Sequence, residues 1–193
     1  MISHDHKCIF LHIPKTGGIS FNTILSQNVT VDNKFKGGHP KLSYYSKEWN
    51  INSYFKFCFV RNPWDRLLSC YIYLKGGGRN NCSHDIEAGK ALKDIEFLNF
   101  IKNIYNYNFL HIRPQMYFIE DISNFDFIGR FETLQEDFNI VCDKIGIPRQ
   151  EQLPHVNKSK HKHYTEYYDE ETREIVAKKY AKEIEYFGYK FEQ

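Results

Sequence analysis

Short apolar runs alternate along the chain with longer segments in which apolar residues recur every three or four positions. The runs at 7–13 and 54–60 are short and rich in aromatic and β-branched residues, and a Pro follows each of them closely. They predict two buried strands, because a run of this length that stops at a helix breaker is too short for a helix. Similar runs at 115–119 and 125–131 predict two further strands.

Helical periodicity follows the first two strands and returns later in the chain. Asn62 and Pro63 have the residue types of a helix cap and a first helical residue. Apolar residues recur at helical spacing in four other segments: Phe21, Ile24 and Leu25; Ile95, Leu98 and Ile101; Leu134, Phe138, Val141 and Ile145; Val176, Tyr180, Ile184 and Phe187. This alternation predicts an α/β fold in a single domain over residues 1–193, with a central, mainly parallel sheet flanked by helices.

The composition narrows the class of protein without indicating a function. Aromatic residues make up 17% of the 193 residues, enough for a buried core, and the formal net charge of +2 gives no electrostatic reason to expect a nucleic-acid partner. Five cysteines are scattered without a C-x-x-C pair, residues 1–7 lack an apolar signal segment, and no apolar run has the length of a membrane span. We therefore expect reduced thiols, no membrane span and a cytoplasmic location.

The junction between the first predicted strand and its helix, "PKTGG", has the composition of an anion-binding turn. The N–H groups at a helix N-terminus attract anions, and Gly17 and Gly18 would let the backbone approach a phosphate closely. Thr16 and Ser20 add hydroxyl donors, and Lys15 adds a cation. The alternative is an ordinary turn with a surface lysine. The nucleotide-kinase signature G-x-x-x-x-G-K-[ST] does not occur, since the lysine here precedes the glycines.

A second junction makes a family resemblance recognisable. "HIPKTGGIS" resembles the 5′-phosphosulfate loop of sulfotransferases, in particular of the carbohydrate sulfotransferase branch related to heparan sulfate 2-O-sulfotransferases, and "FVRNPWDRLLSCY" resembles the 3′-phosphate motif of that family. The resemblance implies a P-loop-like fold, 3′-phosphoadenosine 5′-phosphosulfate (PAPS) as donor and 3′-phosphoadenosine 5′-phosphate (PAP) as product. It assigns the 5′ end of PAPS to Lys15, Thr16, Gly17, Gly18 and Ser20, and the 3′-phosphate to Arg61 and Ser69.

Further matches imply the catalytic residues. "FKGGHPKLSYYS" resembles the family segment that carries the catalytic histidine, so His39 is the expected general base and His111 the second choice. Lys15 is expected to stabilise the charge that grows on the leaving phosphate. "HVNKSKHKHYTEYY" resembles the family's C-terminal loop for substrate and cofactor, and its lysines, including Lys158, predict a lid over the phosphates. The histidines of this loop stand among lysines, which favours an anion over a metal ion, and no metal requirement is expected.

Several residues near these motifs have two possible uses. Arg113 and Arg130 lie in family-like stretches and either contact acceptor or cofactor, or form buried salt bridges. Tyr164, Tyr167 and Tyr168 either line a sugar site or pack in the core, and core packing is the favoured use.

The resemblance implies transfer of a sulfuryl group from PAPS to a hydroxyl of a carbohydrate or glycoconjugate. Two alternatives stay open: a nucleotide-dependent phosphotransferase with a variant phosphate loop, and a non-catalytic module that binds the nucleotide. The sequence leaves the acceptor, the sulfated position and the oligomeric state open.

Overall fold

The computed structural model describes residues 1–32, 38–79, 81–154 and 161–192. In these residues one sheet is formed by β1 (Ile2–Ser3), β2 (Cys8–Leu11), β3 (Phe55–Val60) and β4 (Phe127–Arg130), in that spatial order. The short β1 is antiparallel to β2, whereas β2, β3 and β4 run parallel to one another. The predicted α/β class and mainly parallel sheet are confirmed.

Helices connect and follow the strands. Their bounds are α1 (Gly18–Asn28), α2 (Leu42–Glu48), α3 (Pro63–Lys75), α4 (Ser83–Leu92), α5 (Phe97–Lys102), α6 (Gln115–Ile119), α7 (Leu134–Ile145), α8 (Glu170–Lys179) and α9 (Ala181–Phe187). The chain divides into two compact units. The first consists of residues 1–61 and 115–158 and holds the sheet with α1, α2, α6 and α7; the second consists of 62–114 and 159–193 and holds the other helices.

The core of the first unit is built from phenylalanine rings of β2, β3, α1 and α7. Phe10 packs at 5.3 Å from Phe57 and 5.5 Å from Phe21, between ring centroids, and Phe21 packs at 4.7 Å from Phe138. All four side chains are buried. These contacts fix α1 and α7 against the sheet, so the turn that leads from β2 into α1 starts from a rigid base.

The second unit begins with the capped helix that the sequence predicts. The side chain of Asn62 accepts a hydrogen bond from the backbone N–H of Trp64 at 3.1 Å, and Pro63 is the first residue of α3. The fully buried guanidinium of Arg66 donates to the carbonyl oxygens of His111 at 3.0 Å and Arg113 at 2.7 Å. This unit therefore holds the 111–113 segment by a buried cation on α3.

Two predicted elements differ in the structure. Residues 115–119, predicted as a strand, form α6, and its buried residues Gln115, Phe118 and Ile119 have helical spacing. The prediction of a strand was wrong because periodicity cannot separate a strand from a single buried helical turn in a run of five residues. The predicted last helix is broken at Tyr180, whose φ of −112° and ψ of 21° end α8 before α9 begins. Helices α2 and α4 were not predicted.

Candidate active site

Two turns lie together at the carboxyl edge of the sheet. Strands β2 and β3 are parallel neighbours, with Leu11 paired to Cys58, so the residues that follow Leu11 and Val60 leave the sheet at the same edge. Ligands of parallel α/β sheets bind at this edge. The first turn carries "PKTGG" and the second begins with Arg61, as the sequence predicts.

The first turn is a left-handed bend that leads into α1. Lys15 has a φ of 67° and Gly17 a φ of 85°, and α1 begins at Gly18. The fully buried hydroxyl of Thr16 donates to the carbonyl oxygen of Ile13 at 3.0 Å, which closes the bend from inside. The left-handed conformation costs an L-residue such as lysine roughly 1–2 kcal/mol, and such strain is concentrated at functional sites. The bend presents the N-terminus of α1, with its positive dipole end, beside the lysine.

The two glycines of the bend are required by protein contacts. A Cβ added at Gly18 would lie 2.0 Å from Cδ2 and 2.1 Å from Nε2 of His12, so the imidazole already occupies that space. A Cβ at Gly17 would lie 3.0 Å from a methyl group of Leu134, and its positive φ also favours glycine. The sequence suggested that these glycines make room for an anion; at Gly18 the room is filled by His12.

Arg61 links the second turn to the first. Its guanidinium donates to the carbonyl oxygen of Lys15 at 3.1 Å and lies 3.9 Å above the centroid of the Phe131 ring. Its backbone is held by Gln115, whose side chain accepts from the Arg61 N–H at 2.8 Å and donates to the Arg61 carbonyl at 2.9 Å. Gln115 is fully buried. Hydrogen bonds therefore link Gln115 to Arg61 and Arg61 to the left-handed backbone of Lys15.

His39 lies beside the same bend and contacts His12, which precedes it by 27 residues in the chain. Its Nδ1 is 2.8 Å from the carbonyl oxygen of His12, and the two imidazole rings pack edge to face with centroids 4.5 Å apart. A carbonyl oxygen only accepts, so Nδ1 carries the proton of this bond. In the neutral ring Nε2 is then the basic nitrogen, which is the tautomer that a general base needs.

A carboxylate anchors the chain directly after His39. Glu120 accepts hydrogen bonds from the backbone N–H of Ser43 at 3.1 Å, from the Ser43 hydroxyl at 3.1 Å and from the ammonium of Lys41 at 3.2 Å. Burial alone would raise the pKa of Glu120, but these bonds from Ser43 and Lys41 lower it below its usual value. Glu120 thus ties the start of α2 to the end of α6 as an ionised carboxylate.

The remaining residues of the predicted donor site are placed as follows. The Ser20 hydroxyl donates to the carbonyl oxygen of Pro154 at 2.5 Å, which ties α1 to the stretch before the predicted lid. Ser69 is a buried residue of α3 in the second unit, and its pairing with Arg61 at a 3′-phosphate stays a prediction. Lys158 lies outside the described residues, as does His155.

The other candidates of the sequence have contacts within the second unit or on the backbone. The Nδ1 of His111 is 3.6 Å from the carboxylate of Asp85, and the Arg113 guanidinium donates to the side chain of Asn108 at 3.1 Å. Arg130 donates its backbone N–H to Asp137 at 2.6 Å. Tyr164 is buried and its hydroxyl donates to the carbonyl of Phe191, which confirms core packing for this residue.

Comparison with known proteins assigns the chain to a family. The sequence profile of the Sulfotransferase family matches residues 1–190 and so spans both units. The chain belongs to this family. Across the residues that the structure describes, no cluster of three or more His, Cys, Asp or Glu side chains has the arrangement of a metal site. Within the same residues, no helix has the length and hydropathy needed to cross a bilayer.

The relatives of this family member include carbohydrate sulfotransferases. The chain is 24% identical to human carbohydrate sulfotransferase 9 over 95% of its own length and 47% of that protein. It is 26% identical to carbohydrate sulfotransferase 10 of Xenopus laevis over 98% of its length and 66% of that protein. An uncharacterized protein of Archaeoglobus fulgidus is 33% identical over 52% of the chain and 74% of its own length. The chain thus spans about half to two thirds of the two named enzymes. No solved structure gave a significant match.

Gln115 was missed by sequence reasoning and provides a test of the Arg61 arrangement in this sulfotransferase-family protein. We expect Gln115→Leu to lower the free energy of unfolding by about 2 kcal/mol or more, because it removes two hydrogen bonds that a buried side chain makes to the backbone of Arg61. Calorimetry should also show weaker PAP binding, since Arg61 loses its fixed backbone.

The matched control is Gln135→Leu. Gln135 also bonds two backbone groups, the carbonyl of Gln150 at 2.7 Å and the N–H of Leu153 at 2.8 Å, but it is only half-buried. We expect this variant to lose less stability in urea unfolding and to keep its PAP affinity. Equal losses of PAP affinity in the two variants would contradict a specific role of Gln115 at Arg61.

Proposed function

We propose that the protein transfers a sulfuryl group from PAPS to a hydroxyl of a carbohydrate or glycoconjugate. Membership of the Sulfotransferase family supports PAPS as the donor, and the names of the relatives support a carbohydrate as the acceptor. One observation carries the proposal: the hydrogen bond from Nδ1 of His39 to the carbonyl oxygen of His12 sets a histidine base beside the bend that holds Lys15. We further propose a cytoplasmic location, on the cysteine pattern alone.

The bend fits the 5′ end of the donor. It combines the N-terminus of α1, a helix of 11 residues, with the ammonium of Lys15. The positive end of the helix dipole and the positive charge of the lysine both favour an anion. The hydroxyls of Thr16 and Ser20 donate to carbonyl oxygens, so their main role here is to shape the bend. Backbone N–H groups and Lys15 are therefore the principal donors that we assign to the phosphosulfate.

Arg61 fits a second phosphate next to the first. A guanidinium has five N–H donors, so its bond to the Lys15 carbonyl is compatible with a further contact to an oxyanion. Its stacking on Phe131 limits its rotation and pre-orients it for planar recognition. We propose that Arg61 contacts the 3′-phosphate of PAPS, with Ser69 and Lys158 as the other predicted contacts.

His39 is assigned the role of general base. When bound, PAPS supplies an activated sulfuryl group, and PAP is the leaving group. As the acceptor oxygen bonds to sulfur and the bond from sulfur to the 5′-phosphate oxygen breaks, the hydroxyl proton passes to Nε2 of His39. The His12 carbonyl holds the proton on Nδ1 and stabilises the imidazolium that forms.

Lys15 is assigned to the leaving side of the reaction. Negative charge grows on the 5′-phosphate during transfer, and an ammonium fixed in a pre-formed bend stabilises that charge without reorganisation. The backbone of Lys15 is left-handed, and its carbonyl accepts a hydrogen bond from Arg61. Together these fix the direction in which the lysine side chain leaves the backbone. Its effect should therefore be larger in the transition state than in the ground state.

We expect His39→Ala to lower kcat by about 10²–10⁴-fold, the usual contribution of a general base, with nearly unchanged PAP affinity. The assay is transfer of radiolabelled sulfate from PAPS to a panel of carbohydrate acceptors, with PAP binding followed by calorimetry. The substitution removes the group that we assign to take up the proton of the acceptor.

The control for this variant is His6→Ala. His6 makes the same kind of bond, from Nδ1 to the Ile145 carbonyl oxygen at 2.9 Å, but it precedes β2 and so lies at the opposite edge of the sheet. It should keep normal turnover after any loss of stability is allowed for. Normal transfer in a well-folded His39→Ala protein would refute the assignment of the base.

Lys15 can be tested with two substitutions that remove the same ammonium. We expect Lys15→Ala and Lys15→Gly both to lower kcat strongly while PAP binding weakens much less. Lys15→Gly should be the more stable variant by about 1 kcal/mol, because glycine adopts a φ of 67° without the steric cost of a Cβ. Turnover and thermal unfolding measure the two effects. A near-normal kcat with only a raised KM for PAPS would make Lys15 a binding residue instead.

A further inference from the structure

His12 occupies a position between the proposed base and the start of α1. It follows β2 directly, and its ring stacks on Phe10 at 5.8 Å between centroids and 20° between planes. Phe10 belongs to the phenylalanine core of the first unit. One side of the His12 imidazole is therefore supported by the phenylalanine core.

The same ring contacts the two catalytic segments. It fills the space beside Gly18, where a Cβ would lie 2.0 Å from Cδ2 and 2.1 Å from Nε2. It also packs edge to face on His39, with centroids 4.5 Å apart at 64°. The His12 backbone adds the carbonyl that receives the Nδ1 proton of His39. His39 is thus held at two points of one residue, and that residue is wedged against the first residue of α1.

We propose that the His12 ring is a positioning residue that sets the orientation of His39 relative to the N-terminus of α1. This inference rests on the proposed function, because it assigns His12 to the base and bend described above. The hydrogen bond to the His12 carbonyl keeps the proton of His39 on Nδ1, and the contact with the His12 ring determines the direction in which Nε2 points. The ring centroid of Phe118 lies further from that of His39, at 6.2 Å.

Gly18 offers a way to displace the ring without changing His12. Gly18→Ala adds a methyl group at a distance that atoms do not tolerate, so the His12 ring must move and His39 must move with it. The φ of Gly18 is not in the positive range, and alanine suits the first position of a helix. In a His12→Ala background the added methyl group meets no imidazole and should have little effect.

The experiment compares His12→Ala, Gly18→Ala and the double variant. We expect each single variant to lower kcat roughly 10- to 100-fold, in line with the cost of a misplaced catalytic group, and His12→Ala, which changes no residue of the proposed donor site, to keep a PAP affinity close to that of the wild type. Adding Gly18→Ala to His12→Ala should cost nothing further. If Gly18→Ala lowers kcat by the same factor in both backgrounds, its methyl group acts on the bend directly and the inference is wrong.

A second readout does not depend on turnover. Nitrogen-15 imidazole spectra, assigned with a His39→Gln variant, report which ring nitrogen of His39 carries the proton. The His12→Ala and Gly18→Ala variants both keep the backbone carbonyl of residue 12, but without the ring contact His39 is no longer held over that carbonyl and its Nδ1 bond is made only part of the time. We therefore expect the Nδ1–H tautomer in the wild type and a mixture of tautomers in His12→Ala and Gly18→Ala. An unchanged Nδ1–H signal in both variants would overturn the positioning role and leave the proposed base intact. An Nε2–H tautomer in the wild type would instead contradict the proposed function.

Discussion

The parallel pairing of β2 with β3 is the constraint on which the site depends. Because both strands run in the same direction, the bend after Leu11 and Arg61 after Val60 emerge at one edge of the sheet. A hydrogen bond from the Arg61 guanidinium to the carbonyl of Lys15 then connects the two. An antiparallel pair would send these residues to opposite edges, and the charges of the two turns would act separately.

Around this edge, hydrogen bonds between residues far apart in the chain hold the site residues in place. Gln115 fixes the backbone of Arg61, Glu120 fixes the chain after His39, and the His12 carbonyl fixes the tautomer of His39. The cost is visible at Lys15, which keeps a left-handed backbone that most side chains avoid. Each group to which we assign a catalytic or binding role is thus oriented by a neighbour in the first unit, which is how pre-organised sites reduce the cost of charge development.

The sequence predicted the elements that carry strong local signals. The strands that became β2, β3 and β4 and the cap at Asn62 all follow from short-range patterns. The prediction that the two turns bind anions followed from residue types together with a family resemblance. Local signals failed at 115–119, where a run of five residues is as compatible with a helical turn as with a strand.

The contacts that orient the site could not be predicted from the sequence, because their partners are far apart in the chain. His12 and His39 are separated by 27 residues, and Arg61 and Gln115 by 54. No periodicity links such pairs, and only the folded sheet shows that Gly18 leaves room for an imidazole of its own chain. The available signal was the position of His12 within the apolar run at 7–13, two residues after Phe10, so that the two side chains share a face of the predicted strand.

Binding of a nucleotide through both its 5′ and its 3′ anionic groups can be tested before the acceptor is identified. Calorimetric titration with PAP and with 5′-AMP compares two ligands that differ only in the 3′-phosphate. A charge-assisted hydrogen bond contributes roughly 1.5–3 kcal/mol. We therefore expect the protein to bind PAP more than about tenfold more tightly than 5′-AMP. Equal affinity for the two nucleotides would contradict it.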